Sequence, residues 1–364
     1  MRRARVVIVG GGVIGTSIAF HLGEAGVEDV LLLERGELGS GSTSKGAGGV
    51  RAMFSDELNV RIALRSLHAW GAFGERPGWE IDLHRVGYLF LLSSDEDVTA
   101  FERGVELQNR LGVPSRMVSV DEAHELSPLA GLDGVLAAAF CPLAGHATPE
   151  GAVQGYAGGA RANGVRIQTH TTVTDVRPNI VVTDAGPVQT ECLVCAAGPW
   201  SREIGAMAKV ELPIAPERRR IGYTGPLDIE GDVPMTIDFA SGFYFHREGP
   251  GLLFGTNDVC DTQDEWLERA EPVLRTRAPI LLDAPIAGGW WGDYEMTPDH
   301  NALIGEAAAP PGRLLYATGF SGHGFQQAPA VGEIVRDLYL HRDPFVDVAP
   351  LSADRRERRE RNVV

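Results

Sequence analysis

The chain has 364 residues, which exceeds the roughly 250–300 residues at which a single hydrophobic core stops growing, so we expect two domains or one doubly built domain. Hydrophobic residues at 44% and charged residues at 23% are typical of globular proteins and exclude disordered and collagenous chains. The net charge of −16 disfavours nucleic acid and anionic membranes as partners, and four cysteines are too few for a secreted disulfide framework, so we predict a cytoplasmic protein.

The first twenty residues resemble a signal peptide because three early arginines precede an apolar run. Glycines at positions 10, 11, 12 and 15 interrupt this run, however, and no small-residue cleavage site follows it. No other stretch reaches the ~18 apolar residues that a membrane-spanning helix requires. We therefore expect neither a leader peptide nor a membrane span.

The amino-terminal region contains a predicted βαβ unit. A strand at residues 6–9, a helix that ends near Gly26 and a strand at residues 30–33 follow one another within about thirty residues. Apolar spacing and turn residues predict further elements along the chain. Helices are predicted at residues 56–74, 95–111, 146–163 and 329–340, and strands at 85–92, 165–176, 191–196 and 314–318.

Residues 213–291 have a different pattern, because short apolar runs alternate there with Gly, Pro and Asp turns. Runs at 242–247 and 251–255 predict strands, and the whole stretch predicts a separate, mostly antiparallel sheet. Near the carboxyl end, the Arg- and Glu-rich residues 354–361 predict a solvated surface helix.

The glycines of the βαβ unit form a dinucleotide-binding motif. Gly10, Gly12 and Gly15 give the pattern G-x-G-x-x-G directly after a strand and before a helix, so the backbone can approach a pyrophosphate at the helix N-terminus. Glu34 ends the next strand, where a carboxylate can accept hydrogen bonds from an adenosine ribose. This acidic residue disfavours NADP and leaves NAD and FAD as candidates.

Three later segments favour FAD over NAD. Residues 39–51 form a long run of small residues that can hold a phosphate and lie against a flat ring. Residues 194–200 predict a buried strand that ends in glycine, and residues 315–325 predict a strand that enters a glycine-rich turn and then a helix. A helix N-terminus at that point would stabilise the negative charge of a reduced flavin.

These four segments, in this order, resemble the FAD-dependent D-amino-acid oxidase superfamily, and within it the branch of sarcosine oxidase, glycine oxidase and sarcosine dehydrogenase-like enzymes. The branch resemblance depends on residues 294–299 and 319–325. It implies an α/β fold in which a Rossmann-type FAD-binding domain is interlaced with an α+β substrate domain built on a mostly antiparallel sheet. The implied FAD-binding domain comprises residues 1–82, 145–212 and 292–364, and the implied substrate domain comprises residues 83–144 and 213–291.

The resemblance also assigns residues to the cofactor. The implied ADP site consists of Gly10, Gly12, Val13, Ile14, Gly15, Glu34 and Arg35, with Val173 meeting the adenine side through its backbone. The pyrophosphate and flavin would contact Ser42, Thr43, Lys45, Gly46, Gly48 and Gly49, and would be covered by Ala197, Gly198 and Trp200. The pyrimidine edge of the flavin would meet Gly319, Gly322, His323, Gly324, Phe325 and Gln326.

The sequence departs from the family pattern at three points. Some relatives attach the flavin to a cysteine just before the tyrosine at position 294, but residues 291–293 here are Trp, Gly and Asp, so we predict non-covalent FAD. The hairpin lysine that promotes oxygen reduction in monomeric sarcosine oxidases is replaced at Leu253. A second family lysine, which helps to bind the substrate carboxylate, is replaced by Gln326.

Four residues, with Tyr223 as a weaker fifth, are candidates for direct roles in catalysis. Arg51 matches the family arginine that pairs with a substrate carboxylate, although an arginine here could also form a structural ion pair. Tyr244, and less surely Tyr223, could line the substrate pocket or simply pack in the sheet. His323 could supply positive charge beside the flavin, and Lys45 could promote the reaction with oxygen, because the chain has only one other lysine.

The sequence does not predict a metal site or a disulfide. Cys192 and Cys195 lie three positions apart in a predicted strand and should therefore face opposite sides of it. The histidines do not show zinc-binding spacing with acidic residues. Asp299 and His300 are expected to fix a turn near the flavin.

The predicted function is FAD-dependent oxidation of the C–N bond of a small amino acid or N-methyl amino acid, with hydride transfer to flavin N5 and hydrolysis of the resulting imine. The electron acceptor is O2 or another oxidant, and we favour an oxidase. Two alternatives stay open: an FAD-dependent dehydrogenase of a hydroxy acid or polyol, and a flavin subunit of a larger electron-transfer complex. The oligomeric state is also open.

Overall fold

The computed structural model of the protein describes residues 2–356 and 358–362. The α-helices are α1 Val13–Glu24, α2 Glu57–Gly71, α3 Asp95–Arg110, α4 Val120–Leu126, α5 Pro149–Ala162, α6 Ser201–Met207, α7 Gln263–Arg277, α8 Ile280–Asp283 and α9 Gly324–Tyr339. The strands of the first half are β1 Arg2–Arg3, β2 Val6–Val9, β3 Val30–Leu33, β4 Gly49–Val50, β5 Tyr88–Leu92, β6 Arg116–Val118, β7 Ala137–Cys141, β8 Gly145–His146, β9 Arg166–Gln168 and β10 Val173–Arg177. Those of the second half are β11 Ile180–Thr183, β12 Val188–Gln189, β13 Cys192–Cys195, β14 Ala215–Thr224, β15 Met235–Asp238, β16 Phe243–Glu248, β17 Gly251–Gly255, β18 Ile286–Met296, β19 Leu303–Ala307 and β20 Arg313–Thr318.

One of the two large sheets has six strands, drawn from both ends of the chain, in the order β19-β20-β13-β2-β3-β9. Its strands are parallel except for β19, which pairs with β20 in the antiparallel sense. β2 and β3 are fully buried, as expected for parallel strands covered on both faces. The predicted βαβ unit and the α/β fold class are therefore confirmed, and helices α1, α5 and α9 pack together beside this sheet.

The other large sheet has eight strands in the order β18-β14-β17-β16-β15-β5-β7-β6. Every neighbouring pair is antiparallel except β15 and β5, which are parallel. The prediction of a mostly antiparallel sheet is thus confirmed. Two smaller sheets complete the fold: a four-stranded sheet β1-β12-β11-β10 and the pair β4-β8.

Residues 213–291 also contain the 15-residue helix α7, which the strand-and-turn pattern of this stretch does not predict. The helix begins after Thr262, whose hydroxyl accepts a hydrogen bond from the Glu265 N–H. Trp266 is fully buried and stacks on Phe254, with ring centroids 5.4 Å apart. Pro272 lies inside the helix and obscures its signal in the sequence. Helix α9 likewise begins five residues before Pro329, where we had predicted its start.

The carboxyl-terminal tail is not a solvated surface helix, and that prediction is wrong. Residues 355–356 and 358–362 are irregular, and Glu357 lies outside the described residues. Arg355 forms a buried ion pair with Asp299 at 2.6 Å, and Glu360 has no exposed surface. The carboxylate of Glu360 accepts a hydrogen bond from the amide of Asn59. The charged groups of Arg355 and Glu360 are thus held by buried groups from distant parts of the chain, which the composition of the tail does not reveal.

The Cys-x-x-Cys strand has the predicted arrangement. Cys192 packs into the hydrophobic cluster on one face of the six-stranded sheet, whereas Cys195 packs into the cluster on the other face. Both are free thiols. Among the helices that the structure describes, none has both the length and the apolar character that crossing a membrane requires.

Candidate active site

A cavity of about 420 Å³ lies where the carboxyl ends of β2, β3 and β13 meet the N-terminus of α1. It extends from the acidic end of β3 to β15 and β16 of the eight-stranded sheet, so residues of both large sheets line it. Ligands of α/β proteins bind outside the carboxyl ends of parallel strands, where helix N-termini also converge. The position of the cavity therefore agrees with the dinucleotide motif.

The glycine turn between β2 and α1 leaves no room for side chains. Gly10 has φ = +114°, and a Cβ atom there would lie 2.1 Å from the carbonyl oxygen of Ala196. A Cβ atom at Gly15 would lie 1.9 Å from the carbonyl oxygen of Gly10. Gly15 does not line the cavity but allows α1 to pack closely on β2, whereas Gly12 faces the cavity directly.

The small-residue loop after β3 is anchored rather than free. Thr43 accepts a hydrogen bond from the Val13 N–H at the start of α1, at 3.1 Å. On its other side, the Ser42 hydroxyl donates to the carbonyl of Asp293, and the Trp290 indole N–H donates to the carbonyl of Lys45 at 3.0 Å. The loop thus connects the dinucleotide helix to β18 and forms a fixed wall of the cavity.

Glu34 and Arg35 form the end of the cavity next to β3. The carboxylate of Glu34 accepts hydrogen bonds from the backbone N–H groups of Gly11 and Gly36, each at 2.7 Å. The guanidinium carbon of Arg35 lies 3.8 Å from the centroid of the Trp200 ring. A carboxylate with two oxygens can accept further hydrogen bonds beside these two.

These features fit the ADP half of FAD. The helix N-terminus offers backbone donors to a pyrophosphate, the glycines permit close approach, and the carboxylate of Glu34 suits ribose hydroxyls. The residues that could hold this half are Gly10, Gly12, Val13, Ile14, Glu34, Arg35, Ser42, Thr43 and Val173, all of which line the cavity.

Arg51 lies at the opposite end of the cavity and is only 3% exposed. Its guanidinium donates hydrogen bonds to the carbonyls of Met53 and Asn362, each at 2.7 Å, and its central carbon lies 4.4 Å from the centroid of the Phe54 ring. Burial lowers the pKa of Arg51 from its ordinary value. These two bonds use two of the five guanidinium N–H groups, so donors remain for an anion in the cavity.

Three tyrosines line this end of the cavity: Tyr88 is buried, Tyr244 and Tyr294 are partly buried, and the sequence predicts only Tyr244. Tyr88 faces Gly49 so closely that a Cβ atom there would lie 1.8 Å from its hydroxyl oxygen. Tyr294 also packs closely on a glycine, because a Cβ atom at Gly322 would lie 2.8 Å from a ring carbon of Tyr294. Burial raises the pKa of all three tyrosines, so each is a neutral hydrogen-bond donor at neutral pH.

Lys45 is a half-buried cation in the cavity wall. Its side chain passes beside Gly292, where a Cβ atom would lie 2.6 Å from the Cβ of Lys45. In the part of the chain that the structure describes, its ammonium group has neither an ion pair nor a hydrogen bond. Lys45 is therefore available to an anion that enters the cavity.

His323 also lines the cavity, but not as a cation. Burial and the nearby Arg51 lower the pKa of His323 well below its ordinary value, so the imidazole is neutral at neutral pH. Its ring meets Phe54 edge to face, with centroids 5.1 Å apart, and its Nε2 atom is buried without a hydrogen-bond partner among the described residues. A neutral His323 can exchange a hydrogen bond with a ligand.

Glu295 is a cavity-lining residue that we did not predict as a functional group. Its carboxylate accepts hydrogen bonds from the Gly319 N–H at 2.9 Å and the Thr318 hydroxyl at 2.8 Å, and burial raises its pKa. Gly319 itself does not line the cavity. The two hydrogen bonds to Glu295 fix the turn at Gly319 next to the cavity wall. Tyr223 also lies outside the cavity and packs against Trp290.

The structure thus brings most of the predicted site residues together. Arg51, Lys45, Tyr244 and His323 line one cavity with the predicted cofactor residues, except Gly15 and Gly319. The remaining predicted cofactor residues in the cavity wall are Gly46, Gly48, Gly49, Ala197, Gly198, Trp200, Gly322, Gly324, Phe325 and Gln326.

Comparison with known protein families gives one match that spans most of the chain. A family profile described as "FAD dependent oxidoreductase" (DAO) matches residues 5–338. Mitochondrial dimethylglycine dehydrogenase of Rattus norvegicus is 29% identical, and the match covers 97% of this chain and 45% of that protein. The 4-methylaminobutanoate oxidase (formaldehyde-forming) of Paenarthrobacter nicotinovorans is 28% identical, with coverage of 96% and 45%. The chain therefore spans less than half the length of these two relatives.

Solved structures with the same fold match along their whole length. L-proline dehydrogenase from P. horikoshii superimposes with a TM-score of 0.90 at 32% identity, and the match covers 97% of each chain. Glycine oxidase from Geobacillus kaustophilus superimposes with a TM-score of 0.86 at 25% identity, covering 98% of this chain and all of the other. The cavity and its glycine motif therefore occur in a fold shared with a proline dehydrogenase and a glycine oxidase.

Proposed function

Since the chain belongs to the DAO family of FAD-dependent oxidoreductases, we propose that it oxidises the C–N bond of a small amino acid or N-methyl amino acid. The names of the similar proteins support this substrate class, because dimethylglycine, 4-methylaminobutanoate, proline and glycine each carry an amine and a carboxylate. The product would be an imine, which water hydrolyses.

The observation that carries the proposal is the buried guanidinium of Arg51 in the same cavity as the dinucleotide motif. FAD, when bound, supplies the acceptor for the hydride equivalent that leaves the substrate carbon. Arg51 would bind the substrate carboxylate through its remaining N–H donors, and a guanidinium offers a geometry that suits a carboxylate. The hydroxyls of Tyr88 and Tyr244 would complete the polar wall.

The charge of the cavity also suits amine oxidation. Only the neutral amine has the lone pair that this reaction needs, so the bound substrate must lose its ammonium proton. Nearby cations lower the pKa of an amine, and both Arg51 and Lys45 line the cavity. His323 does not add to this positive charge, because it is neutral.

We further propose that FAD is bound without a covalent bond. Residues 291–293 are Trp, Gly and Asp, so no cysteine stands at the attachment position known in the branch. Acid precipitation of the purified yellow protein is expected to leave the flavin in the supernatant, where chromatography would identify it as FAD. Flavin that remains with the precipitated polypeptide would contradict this.

Replacing Glu34 tests the ADP site. Glu34→Ala is expected to weaken FAD binding by about 1–2 kcal/mol, roughly 5- to 30-fold, because a ribose would lose a charged hydrogen-bond acceptor. Titration of the apoprotein with FAD, followed by flavin fluorescence, measures this change. Glu37→Ala serves as the matched control, because Glu37 is an exposed carboxylate three residues further on. Equal FAD affinity in both variants would remove Glu34 from the ribose site.

Anaerobic reduction of the flavin tests the substrate class. The purified protein is mixed without oxygen with a panel of amino acids, N-methyl amino acids, hydroxy acids and polyols, and bleaching of the flavin absorbance is followed. Amino or N-methyl amino acids are expected to bleach the flavin. Bleaching by hydroxy acids or polyols alone would replace the proposal with an alcohol dehydrogenase, and no bleaching by any compound in the isolated chain would favour a subunit of a larger complex.

A further inference from the structure

Three side chains that commonly bind metals converge outside the cavity. One ligand atom from each of His146, His246 and Glu248 lies within 4.8 Å of the others, and no other such group occurs in the described residues. None of the three lines the cavity. Two imidazoles and a carboxylate form a donor set that suits first-row divalent ions such as Zn²⁺. The sequence alone does not reveal this group, because about a hundred positions separate the two histidines.

The fold fixes these side chains on two neighbouring segments. His146 lies in β8, where it pairs with Gly49 of the small-residue loop, and its backbone also exchanges hydrogen bonds with His84 at 2.9 and 3.1 Å. His246 and Glu248 are two residues apart on β16, so their side chains point to the same face of that strand. The rings of His146 and His246 lie with their centroids 4.2 Å apart.

His246 has the hydrogen-bond pattern of a metal ligand. It is fully buried, and its Nδ1 atom lies 2.8 Å from the carbonyl oxygen of Arg247, to which a protonated Nδ1 donates. Its Nε2 atom then carries a lone pair, and this buried atom has no hydrogen-bond partner among the described residues. Histidines that bind metals typically donate their other ring N–H to a carbonyl or carboxylate, which fixes the ring.

The cluster is also accessible to an ion from solvent. Glu248 is exposed, and His84, whose ring stacks on His146 with centroids 5.0 Å apart, is 49% exposed at its side chain.

We propose that His146, His246 and Glu248 form a binding site for a first-row divalent metal ion such as Zn²⁺, with water completing the coordination. The ion would connect β8, beside the small-residue loop, to β16, whose Tyr244 lines the cavity. This proposal does not depend on the amine-oxidation proposal.

Zinc titration of the flavin-loaded protein tests the site. The protein is prepared without a polyhistidine tag, treated with a chelator and transferred to metal-free buffer before calorimetric titration with ZnCl₂. One equivalent of zinc is expected to bind, and Mg²⁺, which prefers oxygen ligands, is expected not to bind at the same concentration. His146→Ala and His246→Ala should each weaken zinc binding about 100-fold or more, because loss of a ligand exceeds the roughly 10- to 100-fold effect of losing an outer-shell partner.

His170→Ala is the matched control, because this substitution also removes a histidine, but one that lies on the exposed surface, where it contacts Glu37 at 2.8 Å. This variant should retain one equivalent of zinc at parental affinity. If the buried-histidine variants fail to fold, as judged by FAD content and circular dichroism, the exposed Glu248→Gln variant serves instead. It is expected to lower the affinity about 10-fold rather than more, because the glutamine amide keeps an oxygen donor and loses only the negative charge. Absence of stoichiometric zinc binding, or equal affinity in the parent and the folded cluster variants, would overturn the proposal.

Discussion

Arg51→Ala is expected to weaken the binding of substrate amino acids by about 2–4 kcal/mol, roughly 30- to 1,000-fold, and to slow their reduction of the flavin. The guanidinium is buried at the tyrosine-walled end of the cavity, so its removal would leave a desolvated carboxylate without a partner. Anaerobic stopped-flow reduction at varied substrate concentration gives the limiting rate and the dissociation constant. Arg51→Lys should recover only part of the loss, because an ammonium keeps the charge but not the paired N–H geometry.

A substrate analogue separates recognition of the carboxylate from a structural effect. Arg51 also holds the carbonyls of Met53 and Asn362, so its loss could disturb the cavity wall itself. A simple N-methyl amine that lacks a carboxylate should bind equally to the parent and to Arg51→Ala if Arg51 recognises the carboxylate. An equal loss for both ligands would make Arg51 a structural residue, and parental behaviour of both variants would remove it from the site.

Lys45→Met is expected to slow the reaction of the reduced enzyme with O₂ by about 10- to 100-fold. Superoxide is an anion formed when O₂ accepts its first electron, and a fixed cation in a low-dielectric site stabilises it. Lys45 lines the cavity without an ion-pair partner among the described residues, and His323 is neutral. Stopped-flow reoxidation of the reduced protein measures the rate.

The second lysine of the chain provides the control for this experiment. Lys209 does not line the cavity, so Lys209→Met should react with O₂ at the parental rate. If the parent protein reacts rapidly with O₂ and Lys45→Met reacts at the same rate, Lys45 does not promote the reaction. A parent that reacts no faster than free reduced flavin would instead identify a dehydrogenase that uses another electron acceptor.

The dinucleotide half of the site could be predicted because its signal is local. Gly10, Gly12 and Gly15 lie within six positions between a strand and a helix, and Glu34 ends the next strand. The steric need for each glycine is visible in the sequence pattern before any tertiary contact is known. The parallel strands, the antiparallel sheet and the cavity-lining loop followed from similar local patterns.

The substrate end could not be predicted in the same way, because its parts meet only through long-range pairing. Tyr88 reaches the cavity because β5 pairs with β15 in the second large sheet, and nothing near Tyr88 in the sequence indicates this. The metal-binding cluster likewise depends on a contact between His146 of β8 and His246 of β16, which belong to different sheets. Helix α7 was missed for a different reason, since Pro272 in its interior weakened an otherwise clear capping signal at Thr262.

The tail after Asp354 contacts Arg51 from outside the cavity wall. Asn362 holds the guanidinium of Arg51 through its carbonyl, and Glu360 is buried nearby, yet neither residue lines the cavity. A substitution in this stretch that moves its backbone is expected to shift the guanidinium of Arg51, although it replaces no residue of the cavity wall. Mutant libraries designed only from the cavity wall would therefore omit one route by which substrate preference can evolve.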